Sequence, residues 1–366
     1  MISRSDLRSL DSPKAAGRRR RDARTCRIGA NGPSAARAAM RSLAMAGGLL
    51  LAVAAQPVAA FDAQGHRGAR GLMPENTLPA FATALSIGVT TLEFDVGITR
   101  DGAVVIAHDR RLNPNIARRR GVYVEAPGPA LRTLALTELR DYDVGTLRPG
   151  SRYAGQWPQQ KQLSGVRIPT LGELAALVRR ANNAQVRFNV ETKISPLAPD
   201  ETVDPEVFAS TLVAALRREG IAARSTVQSF DWRTLRAVQR LAPEISTVCL
   251  TLERGENDNV QRGKSGASPW LAGLDVDDYA GLVPRAVDAA GCRVWSPFYR
   301  DLTPEALATA KALGLAVVTW TVNEPAEMRR LIDNGVDGII TDYPDRLRAV
   351  MAERNMPLPP ATPVEP

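Results

Sequence analysis

The feature that most constrains the fold is a regular alternation of short, apolar, β-branched segments with segments of helical periodicity. Glycine often follows the predicted helices, as at Gly88, Gly220 and Gly335. Alternation at this spacing predicts parallel strands joined by right-handed helical crossovers. Eight such strands are predicted, over residues 61–66, 91–96, 186–192, 225–228, 246–250, 294–297, 316–322 and 338–341.

Eight βα units are the number that closes a (β/α)₈ barrel, and about 300 residues suit one barrel with insertions. A doubly wound open sheet is the alternative fold, but no glycine-rich phosphate-binding loop follows the first predicted strand. We therefore expect a TIM barrel over residues 61–352. Its helices are predicted near residues 78–87, 204–218, 231–241, 303–313, 324–334 and 344–352.

Two segments interrupt the alternation. Residues 110–170 are rich in Arg, Pro and Gly, with one predicted helix near 136–142, and we expect them to form an inserted cap subdomain after the second strand. Residues 254–279 are polar, with Trp270 and Leu271 as isolated large apolar residues. Both segments begin where a predicted strand ends, which places them at the catalytic face of a barrel.

The first sixty residues differ in composition from the rest. They hold eleven of the 47 Lys and Arg residues and three of the 39 Asp and Glu residues, so 36 of each remain. The net charge of +8 is therefore no indication of nucleic-acid binding. Residues 44–55 form an apolar run of signal-peptide length, and small residues suited to cleavage end at Ala60. We expect translation to start at Met40 and the mature protein to start near Phe61, to be exported to the periplasm or secreted, and to lack a stable membrane span.

The C-terminus and the cysteines add two expectations. Five prolines in residues 356–366 predict a disordered tail over residues 353–366. Cys249 and Cys292 are the cysteines that remain after residue 60. They could pair in an oxidising compartment, although buried free cysteine is the commoner outcome for two such thiols.

Carboxylates recur at alternate positions near the ends of two predicted strands. Glu93 and Asp95 are two residues apart, so both point to one side of their strand, and Glu191 and Lys193 repeat this spacing. Three carboxylates meeting in a barrel mouth would repel one another unless a cation compensated them. All-oxygen ligands favour a hard ion, so we expect one divalent cation, Mg²⁺ or Ca²⁺.

The positive and titratable residues around this cluster complete a pattern for phosphate chemistry. Arg67 and Lys193 would supply positive charge for an anionic group such as a phosphate. His66 and His108 are the two histidines of the sequence, and they could share the acid and base roles. Trp320, taken alone, would be expected in the core.

Seven motifs together resemble the glycerophosphodiester phosphodiesterase family, in family order, from about residue 64 to 350. They are His66-Arg67-Gly68, Pro74-Glu75-Asn76-Thr77, Glu93-Phe94-Asp95, His108-Asp109, Glu191-Thr192-Lys193, Trp320-Thr321-Val322-Asn323 and Asp337-Gly338-Ile339-Ile340-Thr341-Asp342. The barrel fold of that family agrees with the strand count reached above.

The resemblance implies metal-dependent hydrolysis of a glycerophosphodiester to sn-glycerol 3-phosphate and an alcohol. It also implies that a glycerol hydroxyl of the substrate attacks phosphorus, giving a cyclic phosphate that water opens. The implied roles are metal ligation by Glu93, Asp95 and Glu191, acid and base catalysis by His66 and His108, phosphate binding by Arg67 and Lys193, and a wall of the glycerol subsite for Trp320.

Three other functions stay open at this point. A lysophospholipase D-like or other phospholipid phosphodiesterase could use a similar barrel, and would need an apolar rim. A polyol-phosphate-binding protein would not need two histidines, and a barrel in which the metal is only structural is a further alternative. If the protein is a phosphodiesterase, we expect Trp270 and Leu271 to contact the leaving alcohol. The identity of that alcohol and the oligomeric state are left open.

Overall fold

The computed structural model describes residues 61–366. These residues begin at Phe61, where the mature protein is expected to begin. The expected signal peptide and the start at Met40 lie outside the described residues, so they stay predictions.

Twelve strands are found in the described residues. They are β1 (Asp62–Gly65), β2 (Thr91–Ile98), β3 (Val104–Ile106), β4 (Arg118–Arg119), β5 (Val122–Tyr123), β6 (Tyr142–Asp143), β7 (Arg187–Thr192), β8 (Ser225–Ser229), β9 (Ser246–Thr251), β10 (Val294–Pro297), β11 (Ala316–Thr319) and β12 (Gly338–Thr341).

Eight of these strands form a closed parallel barrel, which confirms the predicted fold class. The order around the barrel is β1, β12, β11, β10, β9, β8, β7 and β2. Strand β1 pairs with both β12 and β2 and thereby closes the sheet. Strand β3 runs antiparallel to β2 as a short hairpin arm. All eight predicted strands correspond to barrel strands.

The helices lie between the barrel strands and within the insertion. They are α1 (Leu78–Ile87), α2 (Leu136–Leu139), α3 (Arg152–Gln156), α4 (Leu171–Arg180), α5 (Pro205–Arg218), α6 (Trp232–Leu241), α7 (Val283–Ala289), α8 (Pro304–Ala312), α9 (Pro325–Asp333) and α10 (Pro344–Glu353). The six predicted barrel helices are confirmed, whereas α4 and α7 were not predicted. Within residues 61–366, no helix combines the length and the apolar character that a bilayer span requires.

Strand alternation places apolar side chains towards the helices and polar ones in the barrel. In β2, Phe94 is fully buried and makes edge contacts with Phe81 of α1 and Phe188 of β7, at ring distances of 5.8 and 6.4 Å. The residues on either side of it, Glu93 and Asp95, therefore point into the barrel. The hydrophobic packing of this strand thus fixes the direction of its carboxylates.

The loop from β1 to α1 packs closely against α1. Gly68 has a φ of +83°, and a Cβ at this position would lie 2.7 Å from the carbonyl carbon of Ala80. Only glycine meets both conditions without strain. Gly68 therefore holds the backbone that carries His66 and Arg67 against the helix.

The expected cap subdomain, residues 110–170, contains a small sheet and contributes most of a second buried cluster, which also includes Val105 of β3. Strands β4, β5 and β6 form an antiparallel sheet, and a separate cluster of buried residues that includes Leu112, Leu131 and Tyr142 lies beneath them. Two aromatic residues of this subdomain reach the barrel mouth. The Tyr153 hydroxyl donates to Glu75, and Trp157 stacks on Arg70 at 4.2 Å.

The proline-rich tail differs from the expectation of disorder. The Thr362 amide donates to the Leu85 carbonyl at 2.8 Å, the Asn183 amide donates to the Thr362 hydroxyl at 3.0 Å, and Arg348 donates to the Pro359 carbonyl at 2.6 Å. Proline restricts the free chain, so ordering such a tail costs less conformational entropy than its polarity implied. Residues 356–366 lie along the ends of α1 and α4.

The two cysteines form a disulfide, against the sequence-based preference for free thiols. Cys249 in β9 and Cys292 before β10 are both buried, with their Cα atoms 6.0 Å apart. The strands β9 and β10 are neighbours in the barrel. The distance between the two cysteines could not be predicted from their separation in the sequence. The bond closes a loop with a sequence separation of 43 residues.

We expect this disulfide to stabilise the protein by about 4 kcal/mol, because it restricts a long loop of the unfolded chain. Reduction, or the double change Cys249→Ser and Cys292→Ser, should therefore lower the midpoint of thermal unfolding. The measurement is unfolding with and without reductant, together with a thiol count in denaturant. Two free thiols in the untreated protein would contradict the prediction.

Candidate active site

The candidate residues converge at the carboxyl ends of four neighbouring strands. His66 follows β1, Glu93 and Asp95 lie in β2, Glu191 lies in β7, and His108 follows β3. Asp95 and Glu191 are direct partners in the register of β2 with β7. The carboxyl ends of barrel strands are where barrel enzymes place their active sites.

The three carboxylates form a compact buried cluster. Glu93, Asp95 and Glu191 each offer a ligand oxygen, and these oxygens lie within 4.8 Å of one another. The three residues are 1%, 0% and 7% exposed. Burial, and then the neighbouring carboxylates, raise the pKa of Glu93 well above its usual range. The group therefore carries uncompensated repulsion in the absence of a cation.

The other two carboxylates differ because cations lie beside them. Burial raises the pKa of Glu191 to about 7, with the charge of Asp95 adding to the rise and Lys193 opposing it. Burial alone would raise the pKa of Asp95 too, but Lys193 and then Arg67 outweigh it and hold that pKa below its usual range. Asp95 is thus the most strongly ionised member of the cluster.

The donor set fits a hard divalent cation. Oδ1 of Asp95 is buried, and among residues 61–366 it has no hydrogen-bond partner, only the charge of Lys193 at 3.5 Å, so this ionised oxygen keeps the capacity to bind a cation. All three potential ligands are carboxylate oxygens, as Mg²⁺ and Ca²⁺ prefer. Glu93, Asp95 and Glu191 could therefore hold such an ion.

His66 is oriented by a carboxylate from the far end of the chain. Its Nδ1 lies 2.7 Å from Oδ1 of Asp342, and its Nε2 lies 3.8 Å from Oε2 of Glu93. An ionised Asp342 can only accept, so Nδ1 carries the proton and Nε2 presents its lone pair. Burial and the charge of Arg70 lower the pKa of His66 to about 4 despite Asp342. The imidazole is therefore neutral near neutral pH.

His108 repeats this arrangement on the other side of the site. Its Nδ1 lies 2.8 Å from Oδ1 of Asp109, and Asn113 donates to the second oxygen of that carboxylate at 2.7 Å. Burial and the charges of Arg67 and Lys193 lower the pKa of His108. Each histidine is thus fixed through Nδ1, which leaves Nε2 for chemistry.

Two cations border the carboxylate cluster. Nζ of Lys193 lies 2.5 Å from Oε1 of Glu191 and 3.5 Å from Oδ1 of Asp95. Arg67 contacts Glu75 at 2.6 Å and Asp95 at 3.2 Å. Both side chains are mostly buried, so their charge acts in a medium that screens it weakly.

Trp320 lies in an aromatic wall after β11. Its indole nitrogen donates to the Ser296 carbonyl at 2.9 Å, and its ring contacts those of Phe230 and Phe298 at 5.3 and 5.4 Å. It is partly exposed and borders two adjoining cavities. The ring therefore borders the cavities and is not part of the buried core.

The inner cavity, of about 530 Å³, contains both histidines, Glu93, Glu191, Arg67 and Lys193 on its walls. The outer cavity, of about 1190 Å³, is open and lies towards the insertion. The two share His108, Glu191, Lys193, Phe230 and Trp320. A molecule that spans the junction would therefore place its centre beside His108 and Lys193.

One expectation about this region fails. Trp270 borders the outer cavity, but Leu271 is 1% exposed and packs in the main core. An irregular loop has no fixed periodicity, so the sequence could not predict which of these two neighbouring side chains faces the cavity. Of these two residues, only Trp270 can contact a molecule in the outer cavity.

Several supporting residues were missed. Asp342, Arg70, Gln228 and Asn76 have side chains that bind the candidate residues: Gln228 donates to Glu93 at 2.7 Å, and Asn76 donates to Asp95 at 2.8 Å. Asn76 and Asp342 belong to the motifs that resemble the family, and this membership could have indicated their supporting roles. The cap of helix α1 is its neighbour Thr77.

Comparison with known proteins agrees with this geometry. Residues 66–346 match the sequence profile of the glycerophosphoryl diester phosphodiesterase family. A glycerophosphodiester phosphodiesterase of Caldanaerobacter subterraneus subsp. tengcongensis is 28% identical over 283 residues, which cover 77% of this chain and 94% of the relative.

Solved structures show the same likeness. One from Silicibacter pomeroyi, assigned as a glycerophosphoryl diester phosphodiesterase, has 35% identity and a TM-score of 0.71, covering 82% of this chain and 96% of that one. An Oleispira antarctica phosphodiesterase, solved with the product sn-glycerol-3-phosphate, has 21% identity and a TM-score of 0.57, covering 79% and 96%. The latter likeness concerns the fold alone.

Proposed function

Because this chain belongs to the glycerophosphoryl diester phosphodiesterase family and is an enzyme of that class, we propose that it hydrolyses glycerophosphodiesters to sn-glycerol 3-phosphate and an alcohol. One observation carries the proposal. Two members of the buried carboxylate cluster, Glu93 and Glu191, line the same cavity as both histidines, and each histidine is held through Nδ1 by its own carboxylate. A binding protein would need no such pair of oriented histidines.

We propose that Glu93, Asp95 and Glu191 hold one Mg²⁺ or Ca²⁺ ion. When bound, such an ion polarises a phosphoryl oxygen and offsets the charge that builds up in the transition state. Arg67 and Lys193 would bind the remaining phosphate oxygens, as cations at weakly screened positions. Trp320 would form the wall against which the glycerol lies.

We infer a division of the proton transfers from the positions of the two histidines. His66 borders only the inner cavity, and its Nε2 would accept the proton of a glycerol hydroxyl as that oxygen bonds to phosphorus. His108 lies at the junction. In its imidazolium form, with a second proton on Nε2, it would donate that proton to the departing alcohol oxygen as the P–O bond breaks, and it would recover a proton from the attacking water in the second step. Water would then open the cyclic phosphate with the two roles reversed.

The lipid alternative has less support. A lysophospholipase D-like enzyme would need an apolar rim for an acyl chain. The outer cavity instead has Arg110, Arg111 and Glu201 on its border, and charged side chains there would lose hydration against hydrocarbon. A small polar leaving alcohol fits this surface better.

Product analysis tests the proposed reaction. Protein starting at Phe61 is incubated with glycerophosphocholine, and the products are separated. We expect glycerol 3-phosphate and choline. Phosphocholine and glycerol as products would contradict the proposal, because the other P–O bond would then have broken. Turnover of lysophosphatidylcholine alone would favour the lipid alternative.

Asp342→Asn is expected to lower kcat by about tenfold to a hundredfold, because a charge-assisted hydrogen bond that fixes His66 is lost. KM should change little, since Asp342 would not touch the substrate. The measurement is steady-state kinetics together with thermal unfolding. Asp345→Asn, an exposed position in the first turn of α10, is the matched control. A change confined to KM would contradict the positioning role.

We also propose that the protein is exported. The apolar run at 44–55 and the cleavage-type residues before Phe61 motivate this, and the Cys249–Cys292 disulfide is consistent with an oxidising compartment. Fractionation of cells with N-terminal sequencing tests it. A protein retained in the cytosol with residues 44–55 intact would contradict it.

A further inference from the structure

The outer cavity has a border of different chemistry from that of the inner one. The start of the insertion contributes Arg110 and Arg111 to this border. The loop after β7 contributes Glu201, and the loop after β9 contributes Trp270. On the proposed reaction, the glycerol occupies the inner cavity, so the leaving alcohol extends into this outer one. The residues on its border would then decide which alcohol is accepted.

Two guanidinium groups share one carboxylate at this border. Nε of Arg110 donates to one oxygen of Glu201 and Nε of Arg111 donates to the other, each at 2.7 Å. Arg111 also donates to the Gly128 carbonyl at 3.1 Å. The terminal nitrogens of Arg110 have no hydrogen-bond acceptor among residues 61–366. The shared carboxylate therefore fixes both side chains but neutralises only one of them.

The other charges on this border are directed elsewhere. Glu191 and Lys193 pair with each other beside the carboxylate cluster. Asp109 accepts from His108 and from Asn113. Arg110 is therefore the cation of this border whose terminal nitrogens are left for a molecule in the outer cavity. A guanidinium with free terminal nitrogens suits a phosphate, which it can bind through two parallel hydrogen bonds.

We propose that the outer cavity binds a leaving alcohol that carries a further phosphate, and that Arg110 and Arg111 recognise it. The inference rests on the proposed function and adds the substrate class to it. The preferred diester would be one in which glycerophosphate is linked to a second phosphate-bearing polyol. The aromatic side chains of Trp270 and Trp320 border the same cavity and would favour a cationic alcohol such as choline instead, so the two chemistries can be compared directly.

The experiment compares three diesters whose leaving alcohols differ in charge. Glycerophosphoglycerol releases neutral glycerol, glycerophosphocholine releases a cation, and bis(glycerophospho)glycerol releases an alcohol that carries a phosphodiester. We expect kcat/KM of the wild-type protein to be about tenfold higher for bis(glycerophospho)glycerol than for the other two. The preference should weaken with added salt, because the arginine pair is partly exposed.

Variants separate recognition from catalysis. Arg110→Ala and Arg111→Ala should each remove most of the preference through a higher KM and leave glycerophosphoglycerol hydrolysis unchanged, which also shows that the variants fold. Arg119→Ala is the matched control, since that exposed arginine of the same subdomain pairs with Asp141 away from both cavities.

Two results would overturn the inference. One is a wild-type protein that prefers glycerophosphocholine or shows no preference, and the other is a preference that survives in both arginine variants. Failure of the proposed function would look different, because none of the three diesters would then release glycerol 3-phosphate.

Discussion

Replacing His108 by alanine is expected to lower kcat by about 10²- to 10⁴-fold, the usual contribution of a positioned acid or base. His108 lies at the junction of the two cavities, where the scissile bond of a spanning substrate would lie. Its side chain is 31% exposed, so its removal should disturb the fold little. The measurement is the rate of glycerol 3-phosphate release at saturating substrate.

The control for this variant is its neighbour in the hydrogen-bond chain. Asn113→Ala removes a donor to Asp109 but leaves the Nδ1 contact of His108 in place, and it should lower kcat far less. Thermal unfolding of both variants checks the fold. An His108→Ala protein with kcat within about threefold of wild type would contradict an acid role for this residue.

Glu191→Gln is expected to abolish the stabilisation of the protein by divalent cations. Wild-type protein with Mg²⁺ or Ca²⁺ at about a hundred times the Kd should gain about 2.7 kcal/mol, which raises the unfolding midpoint by about 5 °C for a domain of this size. The variant lacks one ligand charge of the cluster and should show little shift. The readout is thermal unfolding, so it does not depend on activity.

The apoprotein provides a second, opposite expectation. Without metal, Glu191→Gln removes a negative charge that raises the pKa of Glu93. The variant should therefore lose less free energy of unfolding than the loss of the contact between residue 191 and Lys193 alone implies. Glu201→Gln, a carboxylate outside the cluster, is the control and should keep the full cation-induced shift. A cation-induced shift of equal size in Glu191→Gln would show that the ion binds elsewhere.

The barrel was predictable because its evidence is local and repeated. Each βα unit carries its own apolar strand, and many also carry a helix cap or a glycine after the helix, so repeated weak signals support one architecture. Helix α4 was nevertheless missed, although Thr170 and Glu173 form a capping box at its start. The tail was missed for a different reason, since its order depends on contacts with Leu85 and Asn183 that are remote in sequence.

The candidate site was predictable where strand geometry alone decides direction. The spacing of Glu93 and Asp95 fixes both on one face, and the structure places Glu191 beside them. The partner of His66 was not predictable in the same way, because Asp342 lies 276 residues away. Gln228 carries no sequence signal beyond its place in a strand, since a single amide there is equally consistent with solvent exposure.

We propose that one divalent cation, held by the carboxylate cluster, and the two histidines act together on a glycerophosphodiester. The most direct test measures glycerol 3-phosphate release from glycerophosphocholine by protein starting at Phe61, with Mg²⁺, with Ca²⁺ and with EDTA, beside His66→Ala and His108→Ala. We predict release with at least one of the two metals, none with EDTA, and loss of release in both variants. Full release in EDTA, or in either histidine variant, would contradict the claim.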